Sequence, residues 1–133
     1  MLKSLMQYGI VLVVFFAIDM VWLGVVAKDF YAKYLGYLMA PKVNWIAAMA
    51  FYMLFILGLL VFVIQPALID FSWMKLIMSA ALFGLVTYAT YDLTNLATLK
   101  DWPLLITIVD LTWGMSLSVI VSSISALILL QLS

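Results

Sequence analysis

The chain lacks cysteine, histidine, arginine and glutamate, and it has few charged residues of any kind. Without cysteine and histidine there is no disulfide, thiolate nucleophile, Ser-His-Asp triad, haem imidazole or typical zinc site. Without arginine the usual bidentate phosphate clamp is missing. Six lysines and six aspartates give a net charge of zero, and no basic run suggests a nucleic-acid partner. We expect no cofactor and no metal centre, and any metal bound would have to be a hard cation with oxygen ligands.

What remains is strongly apolar. Hydrophobic residues make up 69% of the 133 residues and charged residues 9%, against about 45–50% and 25% in soluble domains. Four segments, near 4 to 28, 43 to 65, 73 to 98 and 103 to 131, are long enough to cross a bilayer as helices, which takes roughly 20 residues. The sequence predicts an all-α fold, a polytopic membrane protein with a four-transmembrane-helix bundle as a single domain. The first segment is predicted to remain as a helix rather than to be a cleaved signal peptide.

Helix-breaking and capping residues agree with these boundaries. Pro66 is predicted to end the second helix, and Ser72 to cap the third. Asp101 and Pro103 offer an N-cap and a first-turn proline to the fourth helix. Residues 29 to 42 are rich in aromatic residues and lysine, so we expect them to lie in the headgroup region without crossing the membrane.

The lysines are divided unequally between the two faces of the membrane. We call the face at the chain's N-terminus side A and the opposite face side B. Two lysines are predicted to lie on side A, Lys3 and Lys75. Four are predicted to lie on side B: Lys28, Lys33, Lys42 and Lys100. The positive-inside rule then predicts that side B is cytoplasmic and both termini are outside, although the small bias leaves opposite or dual insertion open. We expect a multi-pass membrane protein.

Three aspartates lie inside the predicted spans. Asp19, Asp92 and Asp110 fall about 9 to 13 Å from side B, at nearly one depth. A charged side chain in hydrocarbon costs roughly 2.5 to 3.5 kcal/mol even on the lenient insertion scale. A purely structural role in hydrogen bonds between helices is the alternative, but such bonds average only about 0.6 kcal/mol. Carboxylates that share a dry site resist ionising together, so the arrangement favours proton sharing.

Helical spacing places polar and aromatic residues on the same faces as these acids. The candidates for a ligand site around the three aspartates are Trp22, Tyr52, Tyr88, Asn95, Thr107 and Trp113. If all four faces turn inward, they form a polar pocket rimmed by tyrosine and tryptophan and open towards side B. Trp113 lies deeper than the other tryptophans and has equal claims to line a ligand site or the core.

Two further patterns have simpler interpretations. Tryptophans near helix ends favour an aromatic belt at the membrane surface; these are Trp22, Trp45, Trp73 and Trp102. Small residues at four-residue spacing on the fourth helix favour close helix packing, within the bundle or between subunits; these are Gly114, Ser118, Ser122 and Ala126. A path for polar species from the acids to side A is the alternative for the second pattern.

Several segments also resemble a known family. They are Tyr88-Ala-Thr-Tyr-Asp-Leu-Thr-Asn95, Trp102-Pro103, Asp110-Leu-Thr-Trp-Gly114 and Asp19-Met-Val-Trp22. Together they are similar to a bacterial family of small integral membrane proteins, domain of unknown function 2177, over nearly the whole chain. The resemblance implies a multi-pass protein of a bacterial inner membrane and adds no mechanism.

The acids support three hypotheses on function. The most economical is reversible binding or transport of a cation or small amphipathic ligand, with carboxylate protonation coupled to occupancy. A transporter of this size would be expected to form a homodimer, because four helices leave little room for alternating access. The second hypothesis is an enzyme acting on a lipid or isoprenoid, with aspartates as acid and base or as ligands of a divalent ion. The third is a noncatalytic assembly partner whose acids pair with lysines of another membrane protein.

Overall fold

Four long helices and one short helix make up the computed structural model, which describes residues 1 to 132. In chain order they are α1 (Leu2–Val26), α2 (Phe30–Leu35), α3 (Trp45–Ile69), α4 (Trp73–Thr98) and α5 (Leu104–Gln131). All except α2 are long and apolar enough to cross a membrane, since 25 residues of α-helix span about 37 Å and the hydrocarbon core is about 30 Å thick. The prediction of an all-α membrane protein with four transmembrane helices is confirmed.

The prediction that Pro66 ends the second transmembrane helix was wrong, because α3 continues to Ile69. A π-helical turn, Leu60–Ile64, precedes the proline, and the Gln65 N–H bonds to the Leu60 carbonyl five residues back. The wider turn shifts the hydrogen-bond pattern, so Pro66 falls in the first turn of a new α-helical stretch. Proline is tolerated there because it has no N–H to leave unsatisfied.

The ends of the last two helices differ in how they are capped. Ser72 Oγ accepts a hydrogen bond from the Lys75 N–H at 3.4 Å, as predicted for the start of α4. Pro103, and not Asp101, is the N-cap of α5, and no side chain bonds to that helix end. Asp101 instead has a left-handed backbone with φ of 61°, and its carbonyl accepts a hydrogen bond from the Tyr37 hydroxyl. This bond ties the segment after α2 to the turn between α4 and α5.

Helices α4 and α5 approach closely along small residues. A Cβ atom placed on Gly84 would overlap the Gly114 carbonyl oxygen and lie 2.6 Å from Ser118 Oγ. One turn closer to side B, the Tyr88 ring lies over Gly114. The predicted packing role of the small residues is therefore confirmed, within the bundle. The buried Ser118 and Ser122 hydroxyls have no hydrogen-bond partner in residues 1 to 132, so they act here as small residues.

Helix α3 packs differently in its two halves. Its buried side chains begin at Phe55, whose ring lies 5.3 Å from that of Phe83 on α4. Residues 45 to 54 are all exposed or half-buried. In that half, Tyr52 packs against α1, with its ring 5.2 Å from Phe16. The half of α3 nearest side B therefore leans on α1 and leaves space between itself and α4.

We predict that Gly84→Ala destabilises the protein by about 1 to 3 kcal/mol, the usual cost of overpacking. The added methyl group would meet backbone atoms of α5, which cannot rotate out of the way. Gly9→Ala is the matched control, because no atom lies within 4 Å of a Cβ at that position. The free energy of unfolding, measured by denaturant titration in detergent micelles, should fall for Gly84→Ala alone. Equal effects of the two substitutions would contradict the close approach.

Candidate functional site

All five helices contribute to a cavity of about 460 Å³ in the half of the bundle nearest side B. Its wall contains two carboxyl groups, a threonine, a leucine and seven aromatic rings. The lining residues are Asp19, Trp22, Leu23, Tyr31, Phe51, Tyr52, Thr87, Tyr88, Tyr91, Asp110 and Trp113. Six of the nine residues predicted for the site are among them: Asp19, Trp22, Tyr52, Tyr88, Asp110 and Trp113.

The three acids that the sequence placed inside the spans lie at one depth along their helices. Counted from the side-B ends of their helices, Asp19 is about 10 Å deep, and Asp92 and Asp110 are each about 9 Å deep. Their exposed fractions are 4%, 0% and 7% respectively. All six lysines are exposed, so no basic side chain accompanies the acids into the interior. A group of carboxyls without a buried counter-charge is costly in hydrocarbon unless protons or a bound cation reduce the charge.

Asp110 is held by a short chain of hydrogen bonds. The Tyr31 hydroxyl donates to Asp110 Oδ1 at 2.6 Å and accepts from Trp22 Nε1 at 3.3 Å. The Trp22 ring stacks on that of Trp113, with centroids 4.2 Å apart and planes within 8°. Burial, together with the nearby Asp110 carboxyl, raises the pKa of Tyr31 well above that of a free tyrosine, so the hydroxyl remains a donor.

Tyr31 is the residue that most changes the predicted pocket. It belongs to α2, so the aromatic and lysine-rich segment places a side chain inside the bundle as well as at the headgroups. Tyr31 therefore covers the Asp110 carboxyl from side B, the side on which the sequence predicted an opening. The sequence could not reveal this bond, since its partners are 79 residues apart and belong to no common periodic pattern.

Asp92 lies behind the cavity wall and faces Asp110 across the α4–α5 contact. Neither of its oxygens accepts a hydrogen bond from any group in residues 1 to 132. A single proton on either carboxyl would let one acid donate to the other. Within residues 1 to 132, no group of three carboxylate, imidazole or thiol side chains is placed to hold a metal ion.

Asp19 faces the other wall of the cavity. Its carboxyl is directed towards the Tyr52 hydroxyl and the Trp113 indole N–H. The indole nitrogen is buried and makes no hydrogen bond within the described chain. Asp19 therefore presents a hydrogen-bond acceptor to whatever occupies the cavity.

Two other predicted site residues lie outside the lining. Thr107 accepts a hydrogen bond from Trp102 Nε1 at 3.0 Å, and Asn95 lies beside Tyr91. Each is one turn closer to side B than the acid of its own helix, beyond the cavity. Trp102 is only 8% exposed and does not belong to an aromatic belt. The lining residues that the sequence did not predict are Leu23, Tyr31, Phe51, Thr87 and Tyr91, and most are close in sequence to a predicted one.

Comparison with known proteins gives a family and no activity. The family described as "Predicted membrane protein (DUF2177)" matches residues 4–127, a range that includes every lining residue. No curated protein and no solved structure matches the chain. The family match agrees with the resemblance carried by the Tyr88–Asn95 segment. The chain belongs to the membrane protein family of domain of unknown function 2177.

Proposed function

We propose that this protein binds a small amphipathic cation in the cavity, as a transporter or membrane receptor, and that a carboxyl proton leaves when the cation arrives. The observation that carries the proposal is the meeting of Asp19 and Asp110 in one buried aromatic cavity that contains no basic residue. Ionisable residues inside a membrane are costly, and they commonly mark ligand or ion pathways.

The wall favours an organic cation over a bare inorganic one. Ammonium groups are attracted to the faces of tryptophan and tyrosine rings, by about 2 kcal/mol or more where water is excluded. Here such rings surround the two carboxyls. An ammonium group near Asp19 and Asp110 would gain both ion pairing and ring contacts, and its apolar part would contact the remaining rings.

The proton is assigned to the Asp92–Asp110 pair. The titratable groups nearest to Asp92 are Asp110, Tyr31 and Tyr91, and none of them is a cation. An ionised Asp92 would therefore be buried without either a counter-charge or a hydrogen-bond donor, which is strongly unfavourable. A proton shared by the pair removes this cost, because the protonated acid can donate a hydrogen bond to the other. A cation beside Asp110 replaces the charge of that proton and favours its release.

The burial of the acids disfavours the assembly-partner hypothesis. Asp92 is fully buried and outside the cavity lining, so a lysine of another membrane protein could pair with it only if the helices separated. Asp19 and Asp110 are 4% and 7% exposed, so such a lysine would have to enter the cavity to reach them.

We predict that decylammonium binds saturably to the protein in phosphatidylcholine nanodiscs, whereas decanol, with the same chain and no charge, does not. Binding should quench the fluorescence of Trp22 and Trp113, which line the cavity. Asp19→Asn and Asp110→Asn should each weaken binding about tenfold or more, equivalent to about 1.4 kcal/mol. Asparagine keeps the shape of the side chain and can still accept the Tyr31 hydrogen bond.

The matched control is Asp29→Asn, which removes the same charge from an exposed position outside the cavity. It should bind decylammonium as the parent does. Equal quenching by decanol and decylammonium, or equal losses of affinity in Asp29→Asn and Asp110→Asn, would contradict a cation site at the carboxyls.

We predict that binding of decylammonium releases about one proton near neutral pH. Affinity should therefore rise with pH wherever the acid pair still holds its proton, because deprotonation and binding favour each other. The number released is obtained by titration calorimetry in buffers of different ionisation enthalpy. Asp92→Asn should still bind the ligand but release few or no protons. No release from the parent, or unchanged release from Asp92→Asn, would contradict the assignment.

A further inference from the structure

We propose that the ligand carries an aliphatic chain and reaches the cavity sideways, from the hydrocarbon of the side-B leaflet through an opening between α3 and α4. This inference rests on the proposed cation site and specifies its ligand class: a membrane-dissolved amphiphile with a primary or quaternary ammonium head.

The most exposed lining residues mark the opening. Phe51 on α3 and Tyr91 on α4 are 50% and 58% exposed, while the two lining carboxyls are almost fully buried. Phe51 lies about 9 Å along α3 from its side-B end, and Tyr91 about 10 Å along α4 from its own. That depth is within the acyl-chain region of a bilayer, beneath the headgroups.

The opening arises because α3 and α4 pack against different helices in the half of the bundle nearest side B. In the half nearest side B, α3 is held to α1 by the Tyr52 ring and by the Tyr8 hydroxyl, which donates to the Met53 carbonyl at 3.1 Å. In the same leaflet α4 is held to α5, where Tyr88 covers Gly114. The two helices meet only deeper in the membrane, from Phe55 onward.

The direct route from the water on side B is covered. The Tyr31 hydroxyl bonds to Asp110, and the Tyr37 hydroxyl bonds to the Asp101 carbonyl. These bonds tie both α2 and the segment after it across the side-B end of the bundle. A lipid-dissolved amine needs neither bond to break: its ammonium head can lie between Asp19 and Asp110 while its chain passes Phe51 and remains in lipid.

The test uses the natural absence of cysteine, which makes every introduced thiol unique. Phe51→Cys at the opening is compared with Phe62→Cys. Phe62 is also a phenylalanine on α3, but it is 71% exposed and lies outside the cavity lining. Each variant, in phosphatidylcholine nanodiscs, reacts with a membrane-soluble maleimide, with or without dodecylammonium. We expect dodecylammonium to slow labelling of Phe51→Cys at least about fivefold and to leave labelling of Phe62→Cys unchanged.

The outcomes separate this inference from the proposed function. Tryptophan quenching by dodecylammonium without protection of Phe51→Cys, or with equal protection of Phe62→Cys, would overturn sideways access and leave the cation site standing. No saturable quenching by dodecylammonium would overturn both. Tyr91→Cys provides a second position at the opening if Phe51→Cys folds poorly, and it should be protected in the same way.

A chain-length series supplies an independent readout. The affinity, expressed relative to the ligand concentration in water, should rise about fourfold for each added methylene. The series to be measured is butyl-, octyl-, dodecyl- and hexadecylammonium. The rise should continue to the longest chain, because the chain stays in lipid and does not have to fit the cavity. A maximum at an intermediate chain length would overturn the inference, since it would show that the cavity encloses the whole ligand.

Discussion

The close approach of α4 and α5 at Gly84 is the constraint on which the site depends. Without a side chain at that position, the two backbones come near enough for the glycine to lie against Gly114 and Ser118. The two helices are antiparallel, and four residues of either one span about 6 Å along its axis. The register set at Gly84 therefore places Tyr88 over Gly114, and then Asp92 beside Asp110. A shift of either helix by one residue would turn one of these acids towards lipid or towards the core.

The packing of the helices also explains why there is space for a cavity in the half of the bundle nearest side B. Helix α5 contacts both α1 and α4, but α3 approaches α4 only in the deeper half of the bundle, after Phe55. The space left nearer side B is lined mainly by aromatic rings and carboxyls. In a bilayer, a bound cation or a proton can stabilise such carboxyls when no lysine or arginine reaches them. The proposed cation binding and the proposed proton release both rest on the same lack of a buried base.

Much of the fold could be predicted from the sequence, because length and hydropathy determine membrane spans almost independently of tertiary contacts. The positions of Asp19, Asp92 and Asp110 relative to the helix ends likewise indicated one layer. Helical periodicity identified which neighbours share a face with each acid, but not where the cavity ends, so the predicted set included Thr107 and Asn95, which lie outside the lining. Pro66 was misinterpreted because the π-helical turn before it depends on packing. Tyr31 was missed as a cavity residue because its partner is distant in sequence.

The proposed cation site is tested most directly by measuring the distance between a bound ammonium nitrogen and the aspartate carboxyl carbons. Magic-angle-spinning NMR on ¹⁵N-labelled dodecylammonium and protein labelled with ¹³C at aspartate Cγ reports this distance in lipid through the ¹⁵N–¹³C dipolar coupling. We predict strong coupling to two aspartates, one lost in Asp19→Asn and the other in Asp110→Asn. Coupling only to exposed aspartates such as Asp29, or none that these substitutions remove, would contradict the proposed site.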